Sequence, residues 1–310
     1  MLADINQWFA RLKNASSLES FSLLEANNFD VQLFVKRDDL IDQFISGNKL
    51  RKLEGNLLTA QKVGATQLIT YGGAYSNHLL ASAAAAKEVK MPIAARVRGE
   101  ELHEKSNRIL EQCHALGMKL NFIHRSNYKE QKYQSGLHEF ENKPTWFIPE
   151  GGANPEGILG CTSIYPEAVA QNNSKHFDAV FIAQGTTTTS LGVLASIPSQ
   201  TDLFVVPVLK GFRSLKEMKA LSQQAKQNSF TAHLQFPFEQ VRVLDQYHHG
   251  GYAKTSPELM EFIKIFNDTK QFPIEATYTA KALLALQSQL SHLKGKKVLF
   301  IHTGGVSSFI

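Results

Sequence analysis

The feature that most constrains the fold of this chain is an alternation between short apolar runs and longer amphipathic segments. The apolar runs are rich in β-branched residues, as in "AVFIA" at 179–183 and "LFVVPV" at 203–208. Strands buried on both faces read as continuous apolar runs, and helices between them supply the crossover connections of parallel strands. The alternation therefore predicts an α/β protein with parallel sheets that are covered on both faces.

The pattern also predicts where individual elements lie. The predicted strands are 31–35, 67–71, 93–97, 119–123, 146–148, 179–183, 203–208 and 298–302. The predicted helices include 77–87, 106–116, 156–171, 214–227, 258–268 and 279–292. The helix at 258–268 has the clearest start, because Thr255 or Ser256 can cap it and Pro257 suits its first position.

Length and composition limit the class of protein. A chain of 310 residues with 43% hydrophobic content can bury a sizeable core, in one large or two moderate domains. It has no long uncharged apolar window and no signal-peptide pattern at its amino terminus, so we expect a cytoplasmic protein with no membrane partner. Cys113 and Cys161 are its two cysteines and lie far apart in sequence, which argues against a disulfide framework and a thiolate metal site.

The net charge of +5 raises the question of a nucleic-acid partner. The excess charge is spread along the chain, and the nearest approach to a basic stripe drifts around a predicted helix at Lys210, Arg213, Lys216 and Lys219. Such a face is usually a solvated one. We therefore expect no nucleic-acid partner, and small anionic molecules account for the mild positive balance equally well.

Three glycine-containing turns each follow a predicted strand and precede a helix. They are "TYGGAYSNH" at 70–78, "AQGTTTTSLG" at 183–192 and "HTGGVSS" at 302–308. In open parallel sheets, ligands bind at the carboxyl ends of the strands. The three turns should therefore converge on one crevice.

The turn at 183–192 has the composition of an anion site. Gly185 permits close backbone approach, four threonine hydroxyls follow it, and the next helix directs its free N–H groups toward the same point. The turn has neither the lysine of a nucleotide P-loop nor the spacing of a dinucleotide fingerprint. It is either a phosphate site of another kind or a polar helix cap.

The turn at 70–78 and the segment "SGNKL" at 46–50 add two further groups. Ser76, Asn77 and His78 offer donors and acceptors at a helix start, where they either bind a carboxylate or phenolic oxygen or merely cap the helix. Lys49 follows a turn that is predicted at Gly47-Asn48. A lone lysine is usually a surface residue, but one in a desolvated pocket can form a Schiff base with a carbonyl.

A lysine amine, a phosphate cradle and a loop suited to carboxylates are together what pyridoxal 5′-phosphate (PLP) requires. A wider resemblance is carried by the segments "VKRDDL", "GNKLRKLE", "GGAYSNH", "PEGGANPEGILG", "GTTTT", "GGYAKTSPE", "ATYTAKAL" and "FIHTGG". From about Phe34 onward the chain resembles the fold-type-II PLP enzymes, and within them the family of 1-aminocyclopropane-1-carboxylate (ACC) deaminase and D-cysteine desulfhydrase.

The resemblance implies a set of cofactor-binding residues. Lys49 would form the Schiff base with the cofactor aldehyde and later act as a proton-transfer base. Asn77 would hydrogen-bond the phenolic oxygen of the ring. Lys52 would bind the phosphate together with the loop that consists of Gly185, Thr186, Thr187, Thr188 and Thr189.

The same resemblance implies the residues around the ring and the substrate. Tyr278 would lie over the cofactor ring, with Tyr252 as a second active-site tyrosine, and Thr303 would lie where the chain passes the pyridine nitrogen. Ser76, with Asn77 and His78 beside it, would hold the substrate carboxylate, and Ser76 would assist proton movement. Tyr75 lies in the substrate-binding loop where the family commonly has glutamine.

Two positions separate the activities of the family. ACC deaminases resemble one another in having glutamate directly after the ring tyrosine and leucine where this chain has Thr303, whereas this chain has Thr279 and Thr303, the pair typical of the D-cysteine desulfhydrase branch. A carboxylate at the pyridine nitrogen makes a strong electron sink, and a hydroxyl leaves a weaker one that suffices for α,β-elimination. A further departure is Glu275-Ala276 in place of a frequent Asp-Pro.

The resemblance implies a tryptophan synthase β-like fold of two open parallel-sheet domains with the cofactor in the cleft between them. The predicted division is a large domain of residues 1–53 and 160–310 and a small domain of residues 54–159. The implied activity is a homodimeric PLP-dependent deaminating lyase acting on a small amino acid, with D-cysteine the first candidate. The alternatives are an ACC deaminase, a PLP racemase or dehydratase, and a non-catalytic PLP or phosphate-ligand binding protein.

Overall fold

The computed structural model describes residues 2–24 and 26–304 of the chain. The strands β1 to β11 are Leu18–Phe21, Gln32–Lys36, Gln67–Gly73, Ile93–Arg98, Lys119–Ile123, Gly136–Phe140, Lys143–Ile148, Ala179–Gln184, Asp202–Pro207, Val241–Val243 and Lys297–Ile301. The α-helices α1 to α11 are Leu2–Lys13, Asn48–Lys62, Asn77–Glu88, Arg108–Ala115, Arg125–Gln131, Pro155–Cys161, Ile164–Gln171, Thr188–Leu194, Ser214–Gln227, Pro257–Asp268 and Thr279–Ser288. Within those described ranges, no helix combines the length and the apolar character that a membrane span needs.

The strands form two separate sheets. One has six strands in the order β1-β2-β11-β8-β9-β10, and the other has five in the order β5-β4-β3-β7-β6. Each sheet is parallel except for one antiparallel edge strand, which is β1 in the first and β6 in the second. The predicted α/β fold with two open parallel sheets is confirmed.

Alternate residues of the central strands enter different cores, as expected for sheets covered on both faces. In the six-stranded sheet, Phe181 and Phe300 belong to one apolar cluster, and Val180 and Leu299 belong to the cluster on the opposite face. The five-stranded sheet has a large cluster on one face and a smaller one around Tyr71 on the other. Helices therefore pack on both sides of the central strands and leave their carboxyl ends for a ligand.

The prediction of one helix over 156–171 is wrong, because the chain forms α6 and α7 with a break at Thr162-Ser163. Pro166 explains the break. Proline lacks an N–H and its ring collides with the carbonyl four residues earlier, so it fits only within the first turn of a helix. Starting α7 at Ile164 places Pro166 in that turn.

Helices α1 and α5 and the strands β1, β6 and β10 have no counterpart among the predicted elements. Strand β6 alternates little in burial, and β10 is three residues long, so neither carries a clear period of two. Helix α1 is amphipathic and buries Ile5 and Phe9 in the same cluster as Leu50 and Leu53 of α2. That cluster also covers one face of the five-stranded sheet.

The predicted domain boundaries fall inside helices. Residues 53 and 54 are consecutive positions of α2, and residue 160 lies within α6. These two helices make the most extensive contact between any pair of helices in the described chain. The division into residues 1–53 with 160–310 and residues 54–159 stays a prediction.

Candidate active site

A cleft of about 410 Å³ lies between the two sheets, at the carboxyl ends of β3, β8 and β11. Its lining includes Gly73 to His78 from the first glycine-containing turn, Gly185 and Thr186 from the second, and Thr303 and Gly304 from the third. The predicted convergence of the three turns is therefore seen in the structure. Residues 305–308 of the third turn lie outside the described residues.

Three helices begin at this cleft, and none of them is capped by a side chain. The first residues of α2, α3 and α8 follow Gly47, Ser76 and Thr187, which make no side-chain capping hydrogen bond. Helices α4, α6 and α10, by contrast, are capped by Asn107, Asn154 and Ser256. Uncapped helix starts leave N–H groups and positive dipole ends for an anionic ligand.

Lys49 lies in the first turn of α2, and its position is fixed by the residue pair before it. Gly47 has φ +66°, and a Cβ at this position would lie 1.9 Å from the carbonyl oxygen of Thr303. The N–H of Asn48 donates to that same carbonyl at 3.1 Å. Only glycine permits both the backbone angle and the close approach, so the chain must turn here. The turn places the side chain of Lys49 in the cleft.

A buried ion-pair network anchors the same turn of α2 from behind. The guanidinium of Arg51 donates to both carboxylate oxygens of Asp38, at 2.8 and 3.1 Å, and to Glu167 at 2.7 Å. Arg51 and Asp38 are both fully buried, and Lys36 lies 3.6 Å from Glu167 in the same network. Because removing one member leaves a buried charge unpaired, the network holds α2 in one position relative to β2.

The ammonium group of Lys49 makes no hydrogen bond or ion pair with any described residue, and its Nζ lies 5.8 Å from the centre of the Tyr278 ring. Burial lowers the pKa of Lys49, an effect that the charge of Glu275 opposes only in part. A lysine with a lowered pKa has more of its unprotonated amine at neutral pH. That is the form that attacks a carbonyl.

Lys52 lies one helical turn after Lys49 and is almost completely buried. Its Nζ donates to the Thr186 hydroxyl at 3.0 Å and to the carbonyl of Gly151 at 3.2 Å. It has no carboxylate partner among the described residues, and burial, together with the nearby charge of Lys49, lowers its pKa to about 8. A buried lysine without a counter-anion, beside an uncapped helix start, fits a phosphate group.

The four threonines of the predicted phosphate loop have different surroundings. Thr186 lines the cleft, whereas Thr187 to Thr189 are buried in or beside the first turn of α8. The hydroxyl of Thr189 accepts a hydrogen bond from the side chain of Asn48 at 3.0 Å. The run of four hydroxyls thus presents one hydroxyl to the cleft, and the other three threonines contribute through the backbone of the helix start.

Ser76 and Asn77 lie at the start of α3 and line the cleft. Neither side chain has a hydrogen-bond partner among the described residues, so both are available to a ligand. Tyr75 is 77% exposed and lines the mouth of the cleft. The alternative that Ser76 merely caps α3 does not hold, because its hydroxyl makes no capping hydrogen bond.

His78 differs from the other two residues of this turn because it is buried. The hydroxyl of Thr70 donates its one proton to the carbonyl of Ile148 and therefore accepts from Nε2 of His78 at 2.9 Å. Burial and the charges of Lys52 and Lys49 lower the pKa of His78 to about 3. His78 is thus neutral and keeps an acceptor at Nδ1, which has no partner among the described residues. In this form Nδ1 can accept a hydrogen bond but not donate one, and the role predicted for His78 beside the substrate carboxylate stays a prediction.

Tyr278 and Tyr252 form an aromatic wall of the cleft, with ring centres 6.0 Å apart at an angle of 71°. A Cβ at Gly185 would lie 2.8 Å from Cε1 of Tyr278, so the phosphate-side turn and the Tyr278 ring are in direct contact. Burial is the main cause that raises the pKa of Tyr278, which keeps the phenol protonated.

Glu275 is a positioning residue that sequence reasoning recorded only as a departure from the family. Its carboxylate accepts hydrogen bonds from the backbone N–H groups of Thr277, Tyr278 and Thr279 at 2.6 to 2.9 Å. The acid thus holds the start of α11, where Tyr278 lies. The signal in the sequence was an acidic residue four positions before Thr279, the first residue of the helix, and three before its N-cap Tyr278.

The two threonines of the specificity argument lie in different places. Thr303 lines the cleft, but Thr279 is fully buried, and its hydroxyl is bonded within the Glu275 turn. Thr279 therefore shapes the cleft through the start of α11. Among the described residues that line the cleft, Glu150 is the one carboxylate, and Tyr128 and Lys132 donate to it at 2.7 and 2.8 Å.

The fold and the cleft together define a class of protein: an α/β enzyme that binds a phosphate-bearing carbonyl cofactor between two parallel sheets. The profile of the family described as "Pyridoxal-phosphate dependent enzyme" matches residues 18–304. The chain belongs to this family, and its cofactor is PLP. The buried, unpaired Lys52 beside Thr186 and the unpaired Lys49 fit the phosphate and the aldehyde of that cofactor.

Among individual proteins, the chain is 31% identical to a Pyrococcus furiosus protein that is provisionally named 1-aminocyclopropane-1-carboxylate deaminase, over 89% of this chain and 85% of that one. It is 28% identical to D-cysteine desulfhydrase of Klebsiella pneumoniae, over 88% and 87% of the two chains. The crystal structure of an ACC deaminase homologue superposes with a TM-score of 0.76 at 24% identity, and covers 94% of this chain and 90% of that one. This structural likeness supports the fold.

Proposed function

We propose that the protein is a PLP-dependent deaminating lyase that removes the β-substituent of a small amino acid, with D-cysteine as the first substrate to test. The expected products are pyruvate, ammonia and hydrogen sulfide. The observation that carries the proposal is a Lys49 of lowered pKa, without an ion pair among the described residues, in a cleft that Thr303 also lines. The family supports the cofactor, and the similarity to a D-cysteine desulfhydrase supports the reaction.

Bound PLP supplies an electron-accepting ring that makes the Cα proton of an amino acid acidic. Lys49 would hold the cofactor covalently, and once the substrate amine displaces it, the released amine of Lys49 would take up the Cα proton. Burial lowers the pKa of Lys49, which increases the fraction of the unprotonated amine that can act as this base. Lys52, the Thr186 hydroxyl and the N–H groups at the start of α8 would hold the phosphate.

The start of α3 would orient the substrate. The hydroxyl of Ser76 would donate to the substrate carboxylate and assist proton transfer, and the amide of Asn77 would donate to the phenolic oxygen of the cofactor. His78, which accepts at Nδ1, would receive a hydrogen bond from a ligand N–H or O–H group. Tyr278 would pack over the ring, and Tyr252 would close the mouth of the cleft beside Tyr75.

ACC deaminase is the second candidate function, since several similar proteins carry that name. The composition of the cleft argues against this candidate. Among the described residues that line it, Glu150 is the one carboxylate, and it already accepts hydrogen bonds from Tyr128 and Lys132. Ring opening of a substrate without a Cα proton needs a stronger electron sink than Thr303 supports.

The experiment supplies D-cysteine, L-cysteine, D-serine and ACC to PLP-loaded protein and measures sulfide, pyruvate and 2-oxobutyrate. We expect sulfide and pyruvate from D-cysteine. The formation of 2-oxobutyrate from ACC, without sulfide from D-cysteine, would reverse the ranking of the two candidates. A protein that binds PLP and transforms none of the four would contradict both.

We also propose that the enzyme is a cytoplasmic homodimer, as the resemblance implies. Sedimentation equilibrium of the PLP-loaded protein measures its mass directly. A mass of twice the 34.5 kDa chain is the expected result, and a mass of one chain would exclude the dimer.

A further inference from the structure

A second cavity opens beside the mouth of the cleft. It has a volume of about 570 Å³ and shares Ala74, Tyr75 and Arg98 with the cleft. The rest of its lining consists of three cations, Arg125, Lys129 and Lys132, together with Glu101, Leu102 and Tyr128. We call it the outer cavity. Because the two cavities are contiguous, a substituent that extends from a ligand in the cleft enters a positively charged space.

Arg98 lies at the junction of the two cavities. It is the last residue of β4 and pairs in register with Gly73, the last residue of β3. A Cβ at Gly73 would lie 3.2 Å from Nη2 of Arg98, so the guanidinium lies against the turn that leads to Ser76. Its other contact is the ring of Tyr128, whose centre is 5.7 Å from Cζ.

The guanidinium of Arg98 forms no ion pair with any described residue, whereas two of the other three cations of the outer cavity form ion pairs with carboxylates. Arg125 pairs with Glu100 and Glu101, and Lys132 pairs with Glu150. The acid that lines the cleft, Glu150, is therefore bonded to Lys132 and Tyr128 and not to Arg98. Within residues 2–24 and 26–304, the guanidinium of Arg98 makes neither an ion pair nor a hydrogen bond, while its backbone pairs with the neighbouring strands of the sheet.

The other cationic side chains that line the cleft lie elsewhere. Lys49 and Lys52 are on α2, and Lys52 donates to the predicted phosphate loop at Thr186. Ser76 and Asn77 offer donors for the substrate carboxylate without Arg98. Arg98 therefore adds a cation that neither the cofactor phosphate nor the carboxylate of a simple amino acid requires.

We propose that Arg98 is a specificity-determining residue that binds an anionic group on the β-substituent of the substrate, and that the preferred substrates are amino acids with a second negative charge. Guanidinium binds a carboxylate or a similar oxyanion through two parallel hydrogen bonds. The group would extend past Tyr75 into the outer cavity. This inference rests on the proposed function, because it requires an amino acid bound in the cleft.

The experiment uses pairs of amino acids that lack a β-leaving group, have nearly the same shape and differ in charge. Aspartate is compared with asparagine and glutamate with glutamine, each as the D- and the L-form. The dissociation constant is taken from the change in absorbance of the bound cofactor and, independently, from competition with D-cysteine. For at least one pair we expect the acid to bind about tenfold more tightly than the amide, as for one charge-assisted contact.

Three variants distinguish a specific contact of Arg98 with the anionic group from the general electrostatic attraction of the cationic cavity. Arg98→Gln should abolish the difference between acid and amide, and Arg98→Lys should retain part of it. Lys129→Gln is the matched control, because Lys129 is also a cation of the outer cavity with no ion pair to any described residue, but does not line the cleft. It should keep the preference of the wild type.

Three outcomes would overturn the inference. The first is an equal affinity for acids and amides in the wild type. The second is a preference that Lys129→Gln removes as fully as Arg98→Gln does. The third is an equal loss of affinity for acids, amides and D-cysteine in Arg98→Gln, which would make Arg98 a ligand of the α-carboxylate. In each case sulfide production from D-cysteine would leave the proposed function standing, whereas a protein that takes up no PLP would contradict that function itself.

Discussion

Lys52 shows how a single residue links the electrostatics of the cleft to its ligand. The residue is buried without a counter-anion among the described residues, and its pKa is lowered to about 8. A bound phosphate supplies the missing negative charge and must raise that pKa. By linkage, phosphate affinity is highest while Lys52 is protonated and falls as the pH rises above about 8.

Titration of the cofactor-free protein with inorganic phosphate tests this prediction. After correction for the ionisation of phosphate itself, we expect the affinity to have fallen about twofold at pH 8 and to decline by up to about tenfold per pH unit above it, since one proton is taken up on binding. Lys52→Met should bind weakly and lose the decline, and Lys62→Met, an exposed lysine of the same helix, should behave as the wild type. A wild-type affinity that does not change between pH 8 and 10 would contradict the prediction.

Thr279 gives a second prediction at this scale. Thr279 is fully buried, and the carboxylate of Glu275 accepts from its hydroxyl at 3.2 Å and from its N–H at 2.9 Å. Thr279→Glu would therefore place a second buried carboxylate next to that of Glu275. The substitution should lower the free energy of unfolding by roughly 3 kcal/mol or more. It should not create ACC deaminase activity, because Thr303 and Tyr75 also shape the cleft.

Urea unfolding and an assay for 2-oxobutyrate check both parts of the Thr279 prediction. Thr279→Val is the matched control, and it should cost about 1 kcal/mol because it loses only the hydroxyl hydrogen bonds. Appreciable ring opening of ACC by Thr279→Glu would show that this one position decides the reaction.

At the scale of the element, many of the side chains that line the cleft lie at or next to the first residues of helices. Helices α2, α3 and α8 begin uncapped at the cleft, and α11 begins on the carboxylate of Glu275. Glycine-containing turns after apolar strands predicted the starts of α3 and α8, and a turn was predicted at Gly47-Asn48 just before Lys49 of α2. Sequence did not predict how side chains divide between cleft and core. Thr187 to Thr189 follow one another in the sequence but lie beside or within a helical turn that buries them.

Glu275→Ala tests the role of the α11 start. It removes the acceptor of three backbone N–H groups and a favourable charge at the helix dipole. We expect a loss of about 2 kcal/mol in the free energy of unfolding, as for a strong N-cap. PLP affinity should also fall, because Tyr278 loses its support.

The matched control for Glu275→Ala is Glu258→Ala. Glu258 lies in the first turn of α10 and is exposed, while Ser256 supplies the side-chain cap of that helix. Its replacement should change stability by less than about 0.5 kcal/mol. Equal effects of the two variants on urea unfolding would show that Glu275 acts only through the helix dipole.

At the scale of the whole molecule, two sheets meet at one cleft, and residues distant in sequence become neighbours there. The periodicity of apolar residues predicted the class of fold and the central strands, because a buried strand needs a continuous apolar run. It could not predict that Arg98 ends a strand beside Gly73, or that Asp38 and Glu167 hold Arg51. Those contacts depend on strand order and helix packing, which local patterns do not encode. Motif resemblance supplied Lys49, Lys52 and Tyr278, whereas Glu275 became intelligible only through its hydrogen bonds.

The central claim is that this cleft holds PLP on Lys49. The most direct measurement is the absorbance of protein incubated with PLP and freed of unbound cofactor, for the wild type, Lys49→Ala and the exposed control Lys62→Ala. We expect a band at about 410–425 nm, as for a Schiff base between PLP and a lysine, in the wild type and the control, and none in Lys49→Ala. A wild type that remains colourless, or a Lys49→Ala variant with an undiminished band, would contradict the claim.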